Sequence, residues 1–191
     1  MAIYHNLMSK EYIELTNRFK VNPKRCDNPG HYEMYIKQDC FTDQKQGMGV
    51  THVFVDEENG LDKAIAGYIT LRGSSLIMES GDKYKLGFPA LEISELAVNK
   101  EYEGRGLGTD MVKFAINEAV ELNETTMGFQ YVILCADVAA VDFYKNSNLN
   151  FKPIRQMQEI PREHRNSTCK PMMLRLYKII RIKTPFGVSF L

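Results

Sequence analysis

One stretch constrains this chain more than any other: a glycine-rich loop set between a β-type run and a helical run. Leu91 to Val98 reads LEISELAV, apolar and β-branched enough for a strand. Asp110 to Leu122 places Met111, Val112, Ala115, Ile116, Ala119 and Val120 at helical spacing. Between them, Gly104, Gly106 and Gly108 alternate with Arg105 and Leu107, so the backbone can turn sharply and a ligand can approach closely. The first amides of a helix have no partner within it and carry partial positive charge. A strand, a glycine loop and a helix start therefore make a site for phosphate or pyrophosphate. Spacing narrows the ligand. The loop lacks the Lys and Ser/Thr of a P-loop, and no third glycine completes the dinucleotide fingerprint, because Thr109, Asp110 and Met111 follow Gly108.

The length of 191 residues suits one domain with a real core, and 44% hydrophobic with 25% charged residues is the balance of a globular chain. Lys and Arg number 24 and so do Asp and Glu, so no overall field draws the protein to nucleic acid or membrane. No apolar run approaches the roughly 20 residues of a membrane span, and the N-terminus lacks the form of a signal peptide; a cytoplasmic location is expected. Cys26, Cys40, Cys135 and Cys169 have no C-x-x-C spacing, which predicts reduced thiols rather than a disulfide or zinc site. The histidines are scattered without ligand spacing, and no metal is expected.

Along the chain, Ser9 to Phe19 reads as a helix with Ser9 as its N-cap, and His31 to Gln44 as a second, ended by Gly47 and Gly49. Val50 to Val55 and Ala64 to Arg72 read as strands, with Leu76 to Met78 extending the sheet. Tyr131 to Ala136 is a buried strand. Asp137 to Ser147 is helical with Asp137 as N-cap, and Phe151 to Ile154 and Met172 to Ile182 are the last strands. This order predicts a single α/β domain over residues 1–191, with a helical N-terminal region over 1–49, a core over 50–151 and C-terminal strands over 152–191. Its sheet is mixed and mostly antiparallel, with strands joined through a helix parallel.

Two motifs carry a resemblance. Glu103, Gly104, Arg105, Gly106, Leu107 and Gly108 fall on [QR]-x-x-G-x-[GA], with Glu in place of the first Gln or Arg. Asp137, Ala140, Phe143 and Tyr144 fall on [ND]-x-x-A-x-x-[FL]-Y, with Asn150-Phe151 where a G-F usually stands; Asn148 and Asn150 can take the left-handed turn of that glycine. Both motifs, in this order, resemble the GCN5-related N-acetyltransferase (GNAT) superfamily. The resemblance implies a twisted sheet whose central strand pair splays apart, flanked by helices, and acetyl-CoA as co-substrate. It implies that Leu96, Ala97 and Val98 meet the pantetheine arm through their backbone. Glu103 to Thr109, with Asp137 and Ala140, would meet the coenzyme, Arg105 and Thr109 at the pyrophosphate.

Acyl transfer to an amine needs a base for the amine, polarisation of the thioester carbonyl and a proton for the leaving thiolate. Glu92 and Glu95 are the candidate bases. Three positions apart, they point to opposite faces of a regular strand, and Glu92 falls where the histone-acetyltransferase branch carries its base. Tyr144 is the candidate acid. The expected activity is N-acetylation of a primary amine on a small molecule or peptide, by a protein that could be a homodimer. Two other readings stand beside it. The segment from Gln44 to Asp56 with Ala66 to Leu71 resembles the toxin branch that acetylates aminoacyl-tRNA, although Glu95 stands where those toxins often carry Arg. Glu103 suggests a non-catalytic module binding CoA or a protein partner. Arg155, Arg162, Arg165 and Lys170 form a candidate basic rim for an anionic acceptor.

Overall fold

The computed structural model describes residues 3–57, 63–80, 84–146, 148–154, 160–161 and 168–176. The chain runs β1 (Ile3–Leu7), a 3-10 turn and α1 (Ile13–Thr16), α2 (Pro29–Met34), a π-helical turn (Tyr35–Asp39), α3 (Cys40–Gln46), β2 (Val50–Asp56), β3 (Ala64–Ser80), β4 (Tyr84–Val98), α4 (Leu107–Thr125), β5 (Tyr131–Asp137), α5 (Val141–Lys145), β6 (Lys152–Pro153), β7 (Ile160–Pro161) and β8 (Thr168–Arg175). The strands form one sheet in the order β1-β2-β3-β4-β5-β8-β6, with β7 also on β8. The pair β4–β5, joined through α4, is parallel; the other pairs are antiparallel. The fold class is the expected one.

Alternation along the strands divides two apolar layers. On one face Phe54, Ile69, Leu71 and Ile93 pack against Met111, Val112, Ala115, Ile116 and Ala119 of α4. On the other, Val53, Val55, Tyr68 and Ala97 pack against Phe19, Tyr32, Tyr35, Ile36 and Cys40. Side chains of period two meeting helices on both sides explain why β2 is buried nearly throughout. A β-bulge interrupts the register of β3 with β4: Thr70 pairs with Glu95 but Leu71 with Ile93, leaving Ser94 as the extra residue. One inserted residue reverses the alternation beyond it. Glu92, opposite Arg72, and Glu95, opposite Thr70, therefore lie on the same face, that of α2 and α3. The expectation of opposite faces holds only for an unbulged strand.

Other local expectations change for identifiable reasons. β1 lies in the segment ahead of the first expected helix; it is a short edge strand with Tyr4 and Leu7 exposed, so its apolar alternation is weak. The first helix is shorter than Ser9 to Phe19, and the Ser9 side chain makes no cap; its hydroxyl is buried without a partner. The second helical stretch runs from Pro29 through Gln46 with the π turn inside it, capped by Asn28 at the front and by left-handed Gly47 behind. β3 and β4 form a hairpin extending well past Arg72 and back before Leu91. Asp137 precedes a 3-10 turn but makes no side-chain cap. Asn150 takes a φ of 55°, the left-handed turn expected of it. β8 begins before Met172, and positions beyond 176 lie outside the described residues, as do Arg155, Arg162 and Arg165 of the basic segment.

The cysteines are also reassigned. Cys135 on β5 and Cys169 on β8 form a disulfide, their Cα atoms 5.5 Å apart, while Cys26 and Cys40 remain thiols. The antiparallel register sets Cys169 opposite Asp137, which brings its sulfur to Cys135 across the ladder. A bridge closing a sequence separation of 34 restricts the unfolded chain, and its reduction is expected to lower stability by about 3–4 kcal/mol. Urea unfolding with and without a thiol reductant measures this; the C135S/C169S variant should not respond to reductant.

A second consequence concerns acid. His5 on β1 and His52 on β2 hydrogen-bond ring to ring at 2.8 Å and stack beneath Phe114 of α4. Burial lowers the His5 pKa, and burial with the neighbouring His5 pushes His52 down to about 3. A histidine held neutral in the fold takes up its proton only on unfolding. Its contribution is intact above about pH 6.5 and is lost as pH falls toward 3. Stability attributable to His52 should drop by about 3 kcal/mol between pH 7 and pH 4. Chemical denaturation across that range should give a flatter curve for His52→Gln than for wild type.

Candidate active site

β4 and β5 pair only from Ala90↔Tyr131 to Ile93↔Leu134. Beyond that point β4 continues to Val98 on β3 alone, and β5 continues to Asp137 on β8 alone. The bulge at Ser94 marks where they part. Between the separated ends opens a cavity of about 570 Å³. Its β4 wall is Ser94 to Val98, its β5 wall Leu134 to Asp137, and Ala140, Phe143 and Tyr144 close it from α5 and the turn before it. Glu103, Gly104, Gly106, Leu107, Gly108 and Thr109 line its glycine-loop end. The structure thus brings Glu95, Leu96, Ala97, Val98, Asp137, Ala140 and Tyr144 together with the loop. It does not bring Glu92, which stays in the paired half of β4, bound by Arg72 at 2.6 Å. Arg105 is not on the wall either: its guanidinium lies 5.3 Å from the centre of the Tyr102 ring.

The loop has the backbone its glycines allow. Gly104 and Gly106 have φ of 74° and 83°, a region that a side chain disfavours. Gly106 is the residue before α4, so no side chain caps the helix, and Leu107, Gly108 and Thr109 of its first turn line the cavity. Beside Gly108, a Cβ would meet Phe143 at 3.4 Å and Val98 at 3.5 Å. Glu103 lines the cavity with its charge already paired: its carboxylate accepts a hydrogen bond from Asn22 Nδ2 at 2.9 Å and pairs with Arg25 at 3.5 Å. Uncapped amides, left-handed glycines and an open cavity along a parted strand suit the diphosphate and extended arm of a coenzyme A thioester.

Tyr144 is buried between Phe143 and Phe151 with its edge on the cavity. Burial raises its pKa, and the charges of Asp137 and Glu95 raise it further, so the hydroxyl keeps its proton at neutral pH. Asp137 accepts a hydrogen bond from the Tyr32 hydroxyl at 2.6 Å, and Tyr68 donates to the Tyr32 carbonyl at 2.9 Å. Glu95 meets His31 Nε2 at 3.1 Å. Sequence reasoning misses Tyr32, Lys24 and Arg25, which line the cavity, and His31 beside it. The only signal is the Lys24-Arg25 pair in a proline-containing loop. No group of three or more His, Cys, Asp or Glu side chains placed to hold a metal occurs among the described residues. No helix there is long and apolar enough to cross a membrane.

A parallel strand pair that splays around a cavity, with a glycine loop opening the next helix, defines an acyl-coenzyme A transferase fold. The chain belongs to the Acetyltransferase (GNAT) family, whose model matches residues 12–149. Among solved structures it resembles a bacterial toxin, with a TM-score of 0.68 at 16% identity over 92% of each chain. It is similar to AtaTR bound with acetyl-CoA, with a TM-score of 0.65 at 16% identity over 92% of this chain and 94% of that one. It is also similar to AtaT complexed with acetyl-methionyl-tRNAfMet, with a TM-score of 0.64 at 18% identity over 89% and 95%. No curated protein matches the chain.

The loop geometry has a testable consequence of its own. Gly106→Ala, which forces a Cβ into the left-handed region, should cost about 1–2 kcal/mol. The shift is read as a fall in melting temperature, whereas Gly108→Ala, at an ordinary φ with no contact closer than 3.4 Å, should cost less.

Proposed function

We propose that this protein transfers the acetyl group of acetyl-CoA directly to a primary amine. The parting of β4 from β5 carries this reading, because it opens one cavity that Glu95 and Tyr144 share with the start of α4. In this reading the amides from Gly104 to Thr109 hold the diphosphate, and the backbone of Leu96, Ala97 and Val98 lines up the thioester arm. Asp137 and Ala140 form the wall facing it. Glu95 takes the amine proton, and Tyr144, kept protonated by its surroundings, supplies one to the departing sulfur. Glu92, tied to Arg72, takes no role in it. Titration calorimetry should show acetyl-CoA binding. Tyr144→Phe should keep that binding while kcat falls about 100-fold. No binding at millimolar acetyl-CoA removes the proposal.

A narrower acceptor has some support. The solved toxins resemble this chain over about nine-tenths of both lengths, one of them caught with acetyl-methionyl-tRNAfMet. An aminoacyl-tRNA acceptor would present an α-amine, and the balanced net charge would leave recognition to local basic groups such as Lys24 and Arg25. Labelled acetyl transfer to charged tRNA, with growth arrest on expression relieved by Tyr144→Phe, is the expected pattern. Acetylation of free amines with charged tRNA untouched rejects this acceptor and leaves the broader reading in place.

A further inference from the structure

We propose that His31 is a positioning residue for the acetyl transfer, holding the Glu95 carboxylate at the cavity wall so that it accepts the proton of the incoming amine. The inference rests on the acetyltransferase reading above and adds to it a residue from outside both sequence motifs. Two consecutive residues of α2 reach the two parted strands. His31 Nε2 meets Glu95 Oε1 of β4 at 3.1 Å, and the Tyr32 hydroxyl donates to Asp137 Oδ2 of β5 at 2.6 Å. α2 therefore spans the split on the face opposite α4. Both members of the His31–Glu95 pair are mostly shielded, with 22% and 13% of their side chains exposed. The His31 ring is itself fixed, edge-on to Tyr32 at 5.4 Å and tilted on Tyr35 at 6.2 Å.

The bulge makes this possible. In an unbulged strand Glu95 would turn to the α4 face and its packed apolar layer; the extra Ser94 turns it toward α2 instead. A long, rotatable carboxylate side chain then acquires one orientation from a hydrogen bond donated by an immobilised ring. The neighbouring ionisable groups are otherwise engaged. Glu92 is held by Arg72, Asp43 accepts from the Tyr35 hydroxyl at 3.0 Å, and Asp137 accepts from Tyr32. Tyr144 faces the same cavity as Glu95 and lies close enough to feel its charge.

The proton balance is simple. An N–H bond of the amine breaks and its proton passes to a Glu95 oxygen as the nitrogen lone pair bonds to the carbonyl carbon. The C–S bond breaks, and the sulfur takes the hydroxyl proton of Tyr144. Glu95 then returns a proton through solvent to the tyrosinate, restoring both groups. His31 acts only through its hydrogen bond to Glu95 and does not touch the amine.

The test compares steady-state acetylation by wild type, H31L, H31Q, E95Q and H31L/E95Q, each checked for a cooperative melt and for acetyl-CoA binding. H31L should lose about tenfold in kcat with its KM for acetyl-CoA within about twofold, and H31Q, whose amide can still donate, should recover most of that loss. E95Q should lose about 100-fold, and the double variant should be no slower than E95Q, since His31 acts only through Glu95. Undiminished kcat in H31L, losses that multiply in the double variant, or no recovery in H31Q would each overturn the proposal. Should H31L fail to melt cooperatively, H31N takes its place, because its shorter amide does not span the gap; equal rates in H31N and H31Q then overturn it. An active wild type indifferent to His31 refutes this inference alone. A wild type that acetylates no amine refutes the transferase reading and this role together.

Discussion

The structure depends on a pairing that is given up. After Ile93 the central strand leaves β5, and in a folded protein a backbone N–H or carbonyl without a partner costs about 1–3 kcal/mol. The loss is tolerable because each parted strand keeps a partner behind it. β4 stays on the long hairpin with β3 to Val98, and buried Asn99 fastens its end through the Ala66 and Ile65 carbonyls. β5 stays on β8 and is cross-linked to it by Cys135–Cys169. The cavity is thus a gap between two intact halves of a sheet, and the polar backbone left along its walls is what a ligand can use.

What can be read from sequence is what is local. Leu91 to Val98, the alternating glycines and the helical spacing from Met111 to Val120 need only neighbours along the chain, and they fold as read. Tyr144 and Asn150 are legible through a motif and through the backbone preference of asparagine. The Ser94 bulge is not, because one extra residue leaves no mark on a pattern that already mixes Glu, Ser and Leu; it is fixed by what pairs across the sheet. The disulfide escapes for a related reason. Cys135 and Cys169 show no spacing signature, and only the β5–β8 register brings them together.

The same division runs through the site. The glycine loop announces itself, since an amide cradle is made by backbone and glycines mark it. The choice between Glu92 and Glu95 cannot be made by counting positions. What the structure adds is where each one lies: an arginine on β3 meets Glu92, and a histidine on a distant helix meets Glu95. Glu103, an unusual residue for its place in the motif, has its carboxylate engaged by Asn22 and Arg25 at the cavity's edge. The segment from the end of α1 through α2, which carries no recognisable pattern, supplies the polar partners of Glu95, Asp137 and Glu103.

That segment is attached differently from everything beneath it. The two rims of the cleft are backed by continuous ladders and, on one side, by a covalent bond. The cover is fastened to them through side chains, Tyr32 to Asp137, His31 to Glu95, and Asn22 with Arg25 to Glu103, and through the apolar layer in which Phe19, Tyr32, Tyr35 and Ile36 pack on Val53, Val55, Tyr68 and Ala97. A hydrogen bond contributes about 1 kcal/mol, less than the burial of one large apolar side chain, so the buried rings hold the cover more firmly than its polar contacts do. The polar contacts therefore shape the cavity wall on this side, while the apolar layer beneath keeps the segment seated on the sheet.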